Sequence, residues 1–99
     1  MLLLLLVINT SFGIFMRFSA QIIVTLKDGI RDTQGKALED VLKKNDFESN
    51  PHINTGKYFS FEFSAENETE AGQKLNSICK SVLTNPVLET FQILELKSK

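Results

Sequence analysis

Residues 28–37, Asp-Gly-Ile-Arg-Asp-Thr-Gln-Gly-Lys-Ala, lie between a strand-like run and a helix-like run, where a phosphate-binding loop would sit. Such a loop places four residues between its glycines and a Ser or Thr after its lysine. Backbone N–H groups then cradle phosphates while the hydroxyl ligates magnesium. Here five residues, Ile30 to Gln34, separate Gly29 from Gly35, and Ala37 follows Lys36. The hydroxyl is missing, and Gly35 and Lys36 fall inside the first turn of a helix that Asp32 would cap. The stretch reads as a turn and a cap.

The other chemistry-bearing residues are equally isolated. His52 follows Pro51 with no partner in sight and reads as a surface histidine. Cys79 falls on the apolar face of a helix, where a thiol behaves as a small buried hydrophobe. Glu66, Glu68 and Glu70 surround a helix start, where the macrodipole favours carboxylates without any metal. One cysteine and one histidine cannot make the usual zinc site. Phe59, Phe61 and Phe63 could stack bases, but no basic face accompanies them, so they read as core. No catalytic constellation emerges.

The elements that carry these residues follow from periodicity. Phe18, Ala20, Ile22, Val24 and Leu26 alternate with polar residues and predict a half-buried strand over 18–26, ended by a Lys-Asp-Gly turn. Asp32 predicts the N-cap of a helix over 33–44, with Ala37, Leu38, Val41 and Leu42 as its apolar stripe. Lys43 and Lys44 suit its last turn, and Asn45 a left-handed residue beyond it. Residues 52–63 read as extended, with Phe59, Phe61 and Phe63 inward. Gly56 interrupts the run, which is therefore one kinked strand or two short ones. Asn67 and Glu70 resemble a capping box opening a helix over 68–84. Its face comprises Ala71, Leu75, Ile78, Cys79, Val82 and Leu83, and Asn85-Pro86 ends it. The last strand is predicted over 87–96. Phe91 and Ile93 point one way, Leu94 and Leu96 the other, so it calls for cover on both faces and hence for a second subunit.

The order strand, helix, one or two strands, helix, strand predicts an α+β fold. The expected form is a two-layer sandwich, an antiparallel sheet with two helices on one face, ferredoxin-like or close to it. Ninety-nine residues allow a single domain. A net charge of −1 argues against a nucleic-acid partner. A lone cysteine excludes an intrachain disulfide and suits a reducing compartment. Residues 1–15 are uncharged and begin with an apolar run too short to span a bilayer. They read as an extension outside the domain at 16–99: a mis-assigned start before Met16, a disordered or weakly membrane-associating tail, or a signal peptide. The first is favoured, because a signal peptide would carry a positive n-region.

These residues, taken together, resemble a known family. Val24–Leu42 (VTLKDGIRDTQGKALEDVL), Gly56–Phe63 (GKYFSFEF) and Cys79–Ile93 (CKSVLTNPVLETFQI) resemble PurS, the small subunit of phosphoribosylformylglycinamidine (FGAM) synthase. The family pattern Lys-x-Gly-Val-x-Asp-Pro-Gln-Gly-Lys-Ala is matched except that Ile30 stands for the valine and Thr33 stands where the proline would, a first helical position where proline is favoured but replaceable. The resemblance covers Met16 to Leu96 and leaves residues 1–15 without a counterpart.

The resemblance implies a non-catalytic subunit of a ligase complex in de novo purine synthesis. The complex turns formylglycinamide ribonucleotide, ATP and glutamine into formylglycinamidine ribonucleotide, ADP, phosphate and glutamate. A glutaminase subunit, PurQ, releases ammonia. A synthetase subunit, PurL, uses ATP and magnesium, and this chain itself binds no cofactor. A cytoplasmic homodimer bridging the two, without nucleic acid or membrane, is implied. The expected interface residues are Lys27, Gly29, Asp32, Gln34, Gly35 and Lys36 at the first turn and helix start. To these are added Gly56, Lys57 and Tyr58, the Asn85-Pro86 pair, and Leu94 and Leu96. The alternative is a stand-alone ferredoxin-like regulatory domain that binds a small ligand.

Overall fold

The computed structural model of the chain describes residues 15–99. The expectation that residues 1–15 form an extension falls, except for Phe15, outside the described residues. Three strands form one antiparallel sheet: β1 (Met16–Leu26), β2 (Gly56–Ala65) and β3 (Glu89–Ser98), in the order β2-β1-β3. Two helices, α1 (Thr33–Lys44) and α2 (Glu68–Ile78), accompany it, and α2 runs on into a π-helical turn at Cys79–Leu83. The α+β class read from the sequence holds.

The period-two alternation of β1 is what the centre of the sheet requires. Phe18, Ala20, Ile22 and Val24 are fully buried, and each is flanked by partners on both neighbouring strands. Ala20, Ile22 and Val24 join Leu75 and Cys79 of the second helical segment in the main core. Phe59, Phe61, Phe63, Leu83, Phe91, Ile93 and Leu96 pack around them. Phe18, Ala65 and Ala71 form a smaller cluster at the other end. The three phenylalanines of β2 are therefore core, as is Cys79, whose thiol burial pushes up in pKa.

Both predicted N-caps are present. The Asp32 carboxylate accepts from the Gly35 N–H at 2.8 Å, and the Asn67 side chain accepts from the Glu70 N–H at 2.8 Å. The Lys-Asp-Gly turn closes with the Ile30 N–H on the Lys27 carbonyl, and Gly29 takes the positive φ of 85° that such a turn needs.

Five expectations are corrected. Asn45 has φ −95° and its amide side chain donates to the Val41 carbonyl; the left-handed residue is Asp46, at φ 57°. Residues 52–55 are not strand, and β2 is one strand starting at Gly56, because the Ile53 and Thr55 N–H groups donate to Glu39 and Asp32 instead of to a neighbouring strand. The helix expected over 68–84 is α-helical only to Ile78. The Thr84 hydroxyl donates to the Cys79 carbonyl across the widened last turn, leaving Val82 exposed while Cys79 and Leu83 face the core. The last strand starts at Glu89, because residues 86–88 form a turn.

The fifth correction concerns Leu96. The pairing of β3 with β1 slips between Gln21 and Ile22: Gln21 faces Glu95 while Ile22 faces Ile93, so Leu94 is the extra residue of a bulge. A bulge reverses the parity of every later side chain. Leu96 thereby pairs with Ala20 and packs in the core alongside Phe91 and Ile93. Leu94 alone of the four is left outside, 49% exposed.

Candidate functional site

One end of the sheet gathers most of the residues singled out by the sequence. There β1 ends, α1 begins, β2 starts at Gly56 and the chain re-enters the sheet at Glu89. The order of this end rests on two carboxylates. Asp32, after capping α1, also accepts from the Thr55 N–H at 2.6 Å and from the Thr55 hydroxyl at 2.8 Å. Glu39, two turns further along the same helix, accepts from the Ile53 N–H at 2.9 Å. Segment 53–55 is thus stapled along α1. The approach is close enough that a Cβ on Gly35 would run into the Ile53 carbonyl oxygen. The Thr55 and Gly35 N–H groups stabilise the charged form of Asp32 and hold its pKa below its ordinary value.

The turn that leads into β3 is held just as firmly. The Asn85 side chain accepts from the Val87 N–H at 3.0 Å, and its carbonyl accepts from the Leu88 and Glu89 N–H groups. The Asn85 N–H donates to the Glu89 carboxylate at 2.8 Å, which lowers the Glu89 pKa, and Lys57 pairs with the same carboxylate at 3.5 Å. Lys27 braces the turn from β1: its N–H donates to the Leu88 carbonyl and its ammonium to the Pro86 carbonyl.

Two adjoining clefts, each of about 340 Å³, open between these segments. Lys27, Gly29 and Asp32 line the first; Asp32, Gln34, Gly56 and Lys57 line the second. Asn85 and Pro86 lie beside them through the Lys27 bridge. Of the remaining predicted residues, Gly35 is buried under segment 53–55, and Lys36 is exposed and pairs with Asp40 at 3.7 Å. Tyr58 pairs with Ile23 on the face of the sheet opposite the core and is 58% exposed. Leu94 and Leu96 lie further along β3, away from the clefts. Among the described residues, no group of three His, Cys, Asp or Glu side chains is placed to hold a metal ion, and no helix is long and apolar enough to cross a membrane.

The family model for PurS, described as phosphoribosylformylglycinamidine (FGAM) synthase, matches residues 19–96, which span all three strands and both helices. The chain belongs to the PurS family. Among curated relatives, the PurS subunit of FGAM synthase from Thermotoga maritima is 30% identical over 79 residues, covering 80% of this chain and 96% of that one. The subunit from Archaeoglobus fulgidus is 28% identical over 75 residues, covering 76% and 94%. Among solved structures, Thermus thermophilus PurS superposes with a TM-score of 0.67 at 37% identity, covering 82% of this chain and 95% of that one. A chain in the structure of PurLQS from Thermotoga maritima superposes at 0.69 with 28% identity, covering 84% and 98%.

The PurS pattern residues therefore have intrachain work as well as any work between chains. Asp32 and Gly35 bind α1 to segment 53–55, and Gly56 lets β2 start against the Val24 carbonyl, where a Cβ would stand 2.6 Å from that oxygen. Sequence reasoning missed Glu39, Thr55 and Glu89. The seven-residue spacing of Asp32 and Glu39 puts both on one side of a helix, a signal that was available. Nothing local connects either carboxylate to residues 53 and 55. Val87 and Leu88 were read as strand residues and are instead the exposed tip of the 85–89 turn.

Proposed function

We propose that this chain is the small, non-catalytic subunit of FGAM synthase, a homodimer that bridges the synthetase and glutaminase subunits in the cytoplasm. The observation that carries this reading is the PurS match across residues 19–96, joined to the superposition on a chain of the PurLQS structure. The relatives quoted above all carry the PurS name, which favours the subunit reading over a ligand-sensing domain.

The physical role follows from the chemistry of the complex. A glutaminase releases ammonia, and a synthetase activates the amide oxygen of formylglycinamide ribonucleotide with ATP and magnesium so that ammonia can displace the phosphate. Ammonia released to solvent is diluted and protonated. A subunit that docks the two active sites together keeps its effective concentration high at the second one. This chain's contribution is surface: the clefted end around Lys27, Gln34 and Lys57 for the partner subunits, and the exposed Leu38 and Val41 of α1 for its own copy.

The test is reconstitution from purified synthetase, glutaminase and this chain. Glutamine-dependent product formation requires this chain, whereas the rate with ammonium salt supplied directly requires it less or not at all. Equal glutamine-dependent rates with and without it, and no co-eluting complex, would refute the bridging role.

A further inference from the structure

Among the described residues, the 85–89 turn combines high apolar exposure with a dense set of hydrogen bonds. Val87 at its tip is 75% exposed and Leu88 is 41% exposed. A turn of this kind usually moves, but this one is tied at every residue. Asn85 accepts from residues 87, 88 and 89, Glu89 reaches back to the Asn85 N–H, and Lys27 holds the Pro86 and Leu88 carbonyls from the neighbouring strand. Proline at 86 removes a further degree of freedom. An apolar side chain presented on a pre-ordered backbone loses little conformational entropy on binding.

The charges on its flanks indicate what it fits. On one flank a cleft is lined by Lys27, Lys80 and Glu89; on the other, by Arg31, Lys57, Asp32 and Glu89. Both carboxylates are engaged within the chain, Asp32 by Gly35 and Thr55, Glu89 by Asn85 and Lys57. Lys57 is spent on Glu89, and Asp28 stands beside Lys27, which leaves Arg31 and Lys80 as cations with no carboxylate partner in these clefts, in a chain whose net charge is −1. The turn is a locally basic mount for an apolar tip.

We infer that this turn is a preformed docking knob. Val87 inserts into an apolar seat rimmed by carboxylates on a partner protein of different sequence, with Lys80 and Arg31 meeting the rim and Glu89 acting as a positioning residue. A knob-to-knob contact with a second copy is the lesser fit, because it would bring like charges together. The inference rests on the subunit reading above and assigns it a specific contact.

The experiment uses the full chain with its synthetase and glutaminase. Val87→Asp places a charge at the seat, and Lys80→Glu reverses one rim charge without touching the turn's hydrogen bonds. Both variants should melt within a few degrees of the wild type and keep its self-association. Val87→Asp should weaken binding to the partner subunits by at least about thirtyfold, the scale of a hot-spot residue. Lys80→Glu should weaken it several-fold at low salt, with the difference shrinking as salt rises. Glu89→Gln, which loosens the turn but keeps the tip, should raise the dissociation rate of the complex.

Wild-type binding by Val87→Asp, in a preparation where the wild type forms the complex, overturns the knob while sparing the subunit reading. Loss of self-association instead of partner binding overturns it in favour of a second copy. Absence of any complex with the wild-type chain overturns both readings.

Discussion

The two helices of this fold are attached by different physics. Helix α2 and its π-helical end are held by burial: Ala71, Leu75 and Cys79 are fully inside, against β1 and the β2 phenylalanines. Helix α1 buries only Gly35. Its apolar stripe faces outward, with Leu38 44% and Val41 51% exposed, and it is bound through the carboxylates of Asp32 and Glu39 to segment 53–55. A contiguous apolar stripe left exposed in a folded chain is one mark of a surface that meets another molecule. The contrast places the intrachain core on the α2 side and leaves the α1 stripe as the surface proposed above for a second copy.

The largest effect that would break this contrast is truncation in α2. Leu75→Ala should cost about 2–5 kcal/mol, and thermal denaturation of the isolated chain would show a melting point lower by ten degrees or more. A small shift would mean that α2 is less embedded than its burial indicates. Next comes Gly35→Ala. The added methyl meets the Ile53 carbonyl and should cost about 1–3 kcal/mol, with loss of amide protection at residues 53 and 55 ahead of the sheet. A stable variant with those amides still protected would show that α1 does not need its close approach.

Leu38→Ser and Val41→Ser sharpen the comparison from the other side. Each should change the stability of the isolated monomer by no more than about 0.5 kcal/mol, yet shift sedimentation toward the monomer. Unchanged self-association would refute the proposal that these two residues meet a second copy.

The smallest expected effect is electrostatic. The Asp32 pKa is held down in the folded chain by the Thr55 and Gly35 N–H groups. Its charge therefore stabilises the fold above the ordinary Asp range and ceases to do so as pH falls through that range toward the lower folded value. The protection of the Thr55 amide relative to its intrinsic exchange rate should fall on acidification below about pH 4, and Asp32→Asn should remove that change. Unchanged protection of the wild-type Thr55 amide across that range would refute the staple.

Much of this was legible in the residues. The alternation of β1, the Asp32 and Asn67 caps, the bounds of α1 and the core role of Cys79 all rest on neighbours within a few positions, where periodicity and capping act. The family pattern was legible too, because its short motifs stand at fixed spacing. Leu96 was misread, since a bulge at Leu94 depends on how β3 registers against Gln21 and Ile22 of another strand. Thr55 was invisible for the same reason: what makes it matter is a carboxylate 23 positions away.

By itself, the sequence determined the order of strands and helices, the inward face of β1 and the membership in the PurS family, because each depends on local order and composition. Only the tertiary structure decided which carboxylates bind which backbone amides, which leucine of β3 faces out, and that Val87 stands on a braced turn. These depend on strand register and on closures between distant segments, and no local pattern of residues encodes where two such segments meet.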